Sequence, residues 1–260
     1  MKAVILAGGF GTRISEETIV KPKPLVEIGG RPILWHIMKI FSQYDVNDFV
    51  LCLGYKGEMI KDYFVRYSMS SSDFTIRIGS SENVVVHNDS PEAGWRVTFV
   101  DTGLDAMTGA RIKRIQPFVD GEPFFLTYGD GVANVPLDLV LNNHLKRRPI
   151  GTVTGVHPPS RFGELVIDGD RVVEFSEKPQ VRQGYINGGF FVFDTRIFDY
   201  VRDEDSCVFE REPLERLASD GQLEVFRHEG YWQCMDTYRD WQMLNDAWQR
   251  NAAPWKVWSK

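Results

Sequence analysis

Apolar side chains recur along this chain in two rhythms. Residues 2–7, KAVILA, form a β-branched and apolar run that closes on glycine, the pattern of a strand buried on both faces of a parallel sheet. Residues 32–44 then place Ile33, Leu34, Ile37, Met38, Phe41 and Tyr44 at helical spacing, with Pro32 in the first turn, where a missing N–H costs nothing. The same reading predicts strands over 49–53, 95–100, 123–128 and 151–157, interleaved with helices over 58–67, 108–119 and 136–147. Such alternation specifies a mostly parallel sheet covered by helices on both faces, with ligand sites at the carboxyl ends of the strands.

Beyond residue 160 the rhythm changes. Residues 164–167 and 171–175 flank a DGD turn and read as a β-hairpin, followed by strands over 186–193, 222–226 and 231–234 and helices over 210–218 and 238–250. The chain carries no internal repeat, low-complexity tract or Pro/Gly/Ser-rich linker, so residues 1–260 read as one α/β unit with small β insertions. The tail around Trp255 and Trp258 is expected to pack on the body or on a neighbouring subunit.

Composition narrows the classes. A hydrophobic fraction of 43% and a charged fraction of 25% supply a sizeable core and exclude disorder. The net charge of −6 removes the global positive field on which non-specific nucleic-acid binding relies, while leaving room for a local basic pocket. Cys52, Cys207 and Cys234 are odd in number and lack paired spacing, which fits reduced thiols in a cytoplasmic compartment. The first apolar run stops at Ala7, far short of the roughly 20 residues that span a bilayer, so no membrane role is expected. The five histidines form no HExxH pair, and there is no Gly-x-Ser-x-Gly elbow.

Candidate chemistry begins directly after the first strand, at GGFGTR, residues 8–13. Closely spaced glycines let backbone N–H groups approach an anion without Cβ clashes, although a plain glycine turn is an equal reading of the loop alone. It is neither a dinucleotide fingerprint, because Ile14 stands at the third glycine position, nor a Walker loop, because no Gly-Lys-Ser/Thr follows. Arg13 and the KPKPL stretch at 21–25 tilt it toward polyphosphate, since cations beside a backbone nest can hold one. Asp130, in FFLTYGDG, and Asp236, in YWQCMDT, each follow a predicted strand, where a carboxylate can offer hard oxygen ligands. Their ordinary alternatives are an aspartate in a DG turn and a helix N-cap acid.

GGFGTR, KPKPL and GGRPILWHIMK together resemble the amino-terminal signature of the sugar-1-phosphate nucleotidylyltransferases. GYKGEMIKDYF, VDTGLDAMTGARIKRI, FLTYGDGVANV, RFGELVID, EKP, INGGFFVF and YWQCMDT follow in that family's order, so the resemblance covers nearly the whole chain. It implies a Rossmann-like fold of the nucleotide-diphospho-sugar transferase type, with nucleotide binding in roughly residues 1–130 and sugar binding and oligomerisation in roughly 131–260. It further implies CTP and α-D-glucose 1-phosphate as substrates, CDP-glucose and pyrophosphate as products, Mg²⁺ as cofactor, and a homo-oligomer. A UTP- or dTTP-using relative and a catalytically silent sugar-nucleotide sensor remain alternatives.

Residue by residue, the resemblance assigns Leu6, Ala7, Gly8, Gly9, Gly11 and Thr12 to the nucleotide, Arg13 to the leaving pyrophosphate and Lys23 to the triphosphate near the reacting centre. Arg111 is a further phosphate candidate, against the alternative of an exposed charge on an amphipathic helix. Asp130 and Asp236 are assigned to the metal. Gly163, Glu177, Lys178, Asn187 and Gly188 are assigned to the sugar phosphate; a surface Glu-Lys pair and a bulged strand start are the ordinary readings of the last four.

Overall fold

The computed structural model of the chain describes residues 1–11, 20–78, 84–88, 90–119, 121–158, 164–168, 171–176 and 184–259. Seven strands form the central sheet: β1 (Lys2–Leu6), β2 (Asp48–Leu53), β3 (Arg96–Asp101), β4 (Phe124–Tyr128), β5 (Gly151–Val156), β6 (Ile186–Phe193) and β7 (Leu223–His228). Their spatial order is β7-β5-β6-β4-β1-β2-β3. β6 alone runs against its neighbours; the β1–β2, β1–β4, β2–β3 and β5–β7 pairs are parallel. The expected mostly parallel sheet is therefore present.

Strand alternation divides the core into two layers. Ala3, Ile5, Phe49 and Leu51 face one side, where they meet the helix α1 (Ile33–Ser42) and the carboxy-terminal tail; Val4, Leu6, Val50 and Cys52 face the other. α2 (Gly57–Val65) follows β2, and α3 (Tyr67–Ser71) follows at once. α4 (Thr108–Arg114) packs Ile112 on the second layer. α5 (Leu137–Arg147) joins the first layer through Leu137 and Val140, α6 (Glu212–Ser219) the second through Leu217, and α7 (Tyr238–Gln249) the first through Leu244. Trp255 and Trp258 are buried against the body, as the tail was expected to be.

Three departures from the sequence reading bear on the helices and on an exposed strand pair. The helix expected over 58–67 is two helices meeting at Arg66, whose φ of −90° and ψ of 0° interrupt the run. The helix expected over 108–119 stops at Arg114 and continues only as a 3₁₀ turn, Gln116–Phe118. Pro117 accounts for this, because it lacks an N–H and disfavours helical geometry at Gln116. Phe74–Ile76 and Val84–Val86 form an additional antiparallel hairpin, exposed along its length, which the periodicity of the sequence did not mark.

His36 shows how the tail is locked to α1. Its Nε2 lies 2.9 Å from the Ile28 carbonyl oxygen, and the Trp255 indole N–H donates to its Nδ1 at 3.4 Å. An indole nitrogen can only donate, so Nδ1 carries no proton and the ring is neutral with its proton on Nε2. Burial lowers the His36 pKa to about 4, because a charged ring there would be desolvated. The unfolded chain therefore binds more protons than the folded one between about pH 6.5 and pH 4, and this contribution to stability is complete above that window and lost as pH falls through it. Thermal unfolding of the wild type should thus move to lower temperature between about pH 7 and pH 5, with up to about 3 kcal/mol at stake by pH 4. His36→Phe should flatten that dependence in part, since His144 and His228 are shifted in the same sense by burial. Parallel pH dependences for the two proteins would refute the assignment.

Candidate functional site

The carboxyl ends of β1, β2 and β4 lie side by side, because Leu6 is in register with both Cys52 and Tyr128. The chain leaving β1 stays pinned to the sheet, with Ala7 N donating to the Cys52 carbonyl at 3.0 Å. Gly8 then turns its carbonyl inward, where it accepts from Tyr55 N at 3.2 Å and from Arg111 Nη2 at 3.0 Å. Arg111 is only 4% exposed, so the alternative of a solvated surface charge does not hold. Its Nη1 donates to Leu53 O, Thr102 Oγ1 and Gly103 O at 3.0, 2.9 and 2.8 Å, and its Nη2 reaches Leu104 O at 3.2 Å. One guanidinium thus ties α4 to the loops after β1, β2 and β3. Gly8 is required beside it, since a Cβ there would lie 2.3 Å from Arg111 Nη1.

Lys23 sits in a short 3₁₀ turn, Lys23–Leu25, closed by Leu25 N donating to Pro22 O at 2.8 Å. Lys21 points instead to Glu27, 3.1 Å away at the surface, so of the two lysines in KPKPL only Lys23 faces the cleft. Its ammonium donates to Asp130 Oδ2 at 2.7 Å and to Asp236 Oδ1 at 2.6 Å. A small antiparallel pairing brings those carboxylates together: Gly131 is in register with Cys234, and Met235 N donates to Asp130 O at 2.8 Å. Asp236 is not the cap of α7, because Thr237 and Asp240 form that capping box. Burial works to lower the Lys23 pKa, but Asp130 and Asp236 outweigh it and hold it above the ordinary lysine value. The nearby Cys234 thiol is pushed up to about 12 by burial and then by Asp236, so it stays protonated and is no nucleophile.

These groups open onto a cleft of about 500 Å³. Leu6, Gly8, Gly9, Gly11, Lys23, Arg111, Asp130 and Asp236 all line it. Ala7 is buried behind the loop. Asn187 and Gly188 begin β6 next to Tyr128, to whose hydroxyl Asn187 Nδ2 donates at 3.3 Å. Thr12, Arg13, Gly163, Glu177 and Lys178 lie outside the described residues. The cleft also contains Thr108 and Tyr128, which fall inside the quoted segments but were assigned no role, and Glu210, which lies outside them and is joined to both over large sequence separations. Among the described residues no group of three or more His, Cys, Asp or Glu side chains gathers as a metal site by itself, and no helix is long and apolar enough to cross a membrane.

The nucleotidyl transferase family profile matches residues 2–247. The chain belongs to that family. It is 49% identical over 259 residues to the glucose-1-phosphate cytidylyltransferase of Salmonella typhi, covering 99% of this chain and 100% of that protein. It is 46% identical over 258 residues to a probable glucose-1-phosphate cytidylyltransferase of Bacillus subtilis, again covering 99% and 100%. Among solved structures, that of HddC from Yersinia pseudotuberculosis superposes with a TM-score of 0.70 at 24% identity, covering 95% of this chain and 99% of that one, a likeness of fold.

The cross-tie at Arg111 yields a direct expectation for this nucleotidyltransferase fold. Arg111→Met keeps the apolar stem but removes the guanidinium donor from the Gly103 and Leu104 carbonyls and one of the donors from the Gly8 and Leu53 carbonyls. It should lower unfolding stability by about 2–4 kcal/mol in urea titration. A change under about 0.5 kcal/mol, the range of ordinary surface substitutions, would show that the tie is not structural.

Proposed function

We propose that the protein transfers the cytidylyl group of CTP to α-D-glucose 1-phosphate, giving CDP-glucose and pyrophosphate. The observation that carries this reading is the end-to-end likeness to relatives named glucose-1-phosphate cytidylyltransferases. The cleft supports the reaction class. A glycine loop, one lysine and two aspartates at the carboxyl edge of a parallel sheet suit an in-line displacement at phosphorus, which depends on positioning and charge neutralisation.

In this reading a phosphate oxygen of the sugar phosphate attacks the α-phosphorus and pyrophosphate departs. Leu6, Ala7, Gly8, Gly9, Gly11 and Thr12 hold the nucleotide, and Arg13 neutralises the leaving group. Lys23, kept charged by its carboxylate neighbours, moves its ammonium onto the phosphates near the reacting centre. Arg111 acts from behind, fixing the Gly8 carbonyl and so the curvature of the loop. Gly163, Glu177, Lys178, Asn187 and Gly188 receive the sugar phosphate.

Asp130 and Asp236 fit a Mg²⁺ site. They already share a single cation, the Lys23 ammonium, and two carboxylates completed by phosphates and water are the donor set that Mg²⁺ prefers. Mg²⁺ held there would neutralise phosphate charge in the transition state. The free cysteines support a cytoplasmic setting, and the family resemblance supports a homo-oligomer.

The primary test is pyrophosphate release with CTP, UTP or dTTP against several sugar 1-phosphates. CTP with glucose 1-phosphate should give the highest kcat/KM, and a higher value with UTP or dTTP would overturn the nucleotide assignment. Lys23→Ala should cost roughly a hundredfold or more in kcat, as expected for a charge acting mainly in the transition state. Asp130→Asn and Asp236→Asn should fold normally, lose most activity and regain part of it at high Mg²⁺. An unchanged rate and unchanged Mg²⁺ dependence would remove that aspartate from the metal site.

A further inference from the structure

Glu210 lies at the far wall of the cleft, just ahead of α6, and its two carboxylate oxygens hold different parts of the fold. Oε1 accepts from the Tyr128 hydroxyl at 2.5 Å, and Oε2 accepts from Thr108 Oγ1 at 2.7 Å. Thr108 opens α4, the helix that carries Arg111, and its Oγ1 also accepts from Phe209 N at 2.9 Å. Tyr128 ends β4 and in turn meets Asn187 at the start of β6, Nδ2 to hydroxyl oxygen at 3.3 Å.

The direction of every bond in this chain is fixed. Gly189 N can only donate, and it donates to Asn187 Oδ1 at 2.8 Å, so the Asn187 amide is oriented with Nδ2 toward Tyr128. The Tyr128 oxygen must then accept from Asn187, and its single proton must leave in another direction. A hydrogen-bond acceptor is the partner this requires, and the Glu210 Oε1 atom supplies it. Backbone geometry holds the ring in place: Gly189 has a φ of +76°, and a Cβ there would lie 2.5 Å from Tyr128 Cδ2.

We propose that Glu210 is a positioning residue of the sugar-phosphate subsite, which through Tyr128 fixes the Asn187 amide and anchors it to the helix behind the nucleotide loop. This rests on the reading that the start of β6 faces the sugar phosphate. One Asn187 N–H is committed to Tyr128, and the other is thereby presented to a substrate oxygen at a set angle. Glu210 acts as a hydrogen-bond acceptor in this role, without contact to the reacting atoms.

Steady-state kinetics on four variants of the full chain test the proposal. Glu210→Ala and Tyr128→Phe, the second of which keeps the packed ring, should each raise KM for glucose 1-phosphate about tenfold, the effect of one or two positioning hydrogen bonds. KM for CTP and kcat should stay within about threefold of wild type, and the double variant should be no worse than the weaker single one, because both changes break the same chain. Glu210→Gln should retain near-wild-type KM, since its amide oxygen can accept from Tyr128 while its NH₂ turns to Thr108. Equal damage in Glu210→Gln and Glu210→Ala would overturn the proposal in favour of a role for charge. Equal effects on both KM values, or additive losses in the double variant, would overturn it in favour of general destabilisation. If the wild type prefers another substrate pair, the functional reading falls while the same variants, measured on that pair, still decide the role of Glu210.

Discussion

Two carboxylates from separate parts of the chain, brought together in a half-buried cleft, need a cation between them. Lys23 is that cation, 107 positions from Asp130 and 213 from Asp236. Two carboxylates directed at one point repel each other, and the ammonium between them offsets that repulsion before any substrate arrives. It also joins the amino-terminal strand–loop–helix unit to the short pairing of Gly131–Ala133 with Trp232–Cys234. Site and fold share this one contact.

Arg111 solves a different problem with different partners. Its charge is buried among carbonyl oxygens and a threonine hydroxyl, which are oriented dipoles carrying no net charge. Those dipoles belong to loops that would diverge after three parallel strands, and the planar guanidinium gathers them in a fixed fork. A lysine there would offer three donors on a flexible stem, too few for the acceptors present. The glycine loop owes its shape as much to this cation beneath it as to the freedom of its own backbone.

The central sheet was readable because its inner strands are continuous apolar runs, a pattern set by burial on both faces. The departures have local causes, such as Pro117 ending α4, or come from the exposed hairpin of Phe74–Ile76 and Val84–Val86, whose burial could leave no periodic trace. In the cleft, Lys23, Asp130 and Asp236 were visible through motif context, and the structure brings them together. The setting of Arg111 was not visible, since main-chain carbonyls impose no residue type on the positions that supply them. Glu210 was equally hidden, because its bond to Tyr128 spans 82 positions and a lone exposed acid before a helix resembles any other.

Charge in the cleft bears on how its occupants must arrive. Among the described lining residues, Asp105, Asp130, Glu210 and Asp236 face two cations, Lys23 and Arg111, and Arg111 is already committed to the loops behind it. A nucleoside triphosphate alone would enter a pocket with an excess of its own sign. In the proposed reaction, Asp130 and Asp236 would hold a divalent cation that offsets this negative charge, and the Lys23 ammonium would then be available to the phosphates. The acidic floor would thus make a cation a requirement of nucleotide binding in the proposed reaction, ahead of any part it would play in the chemical step.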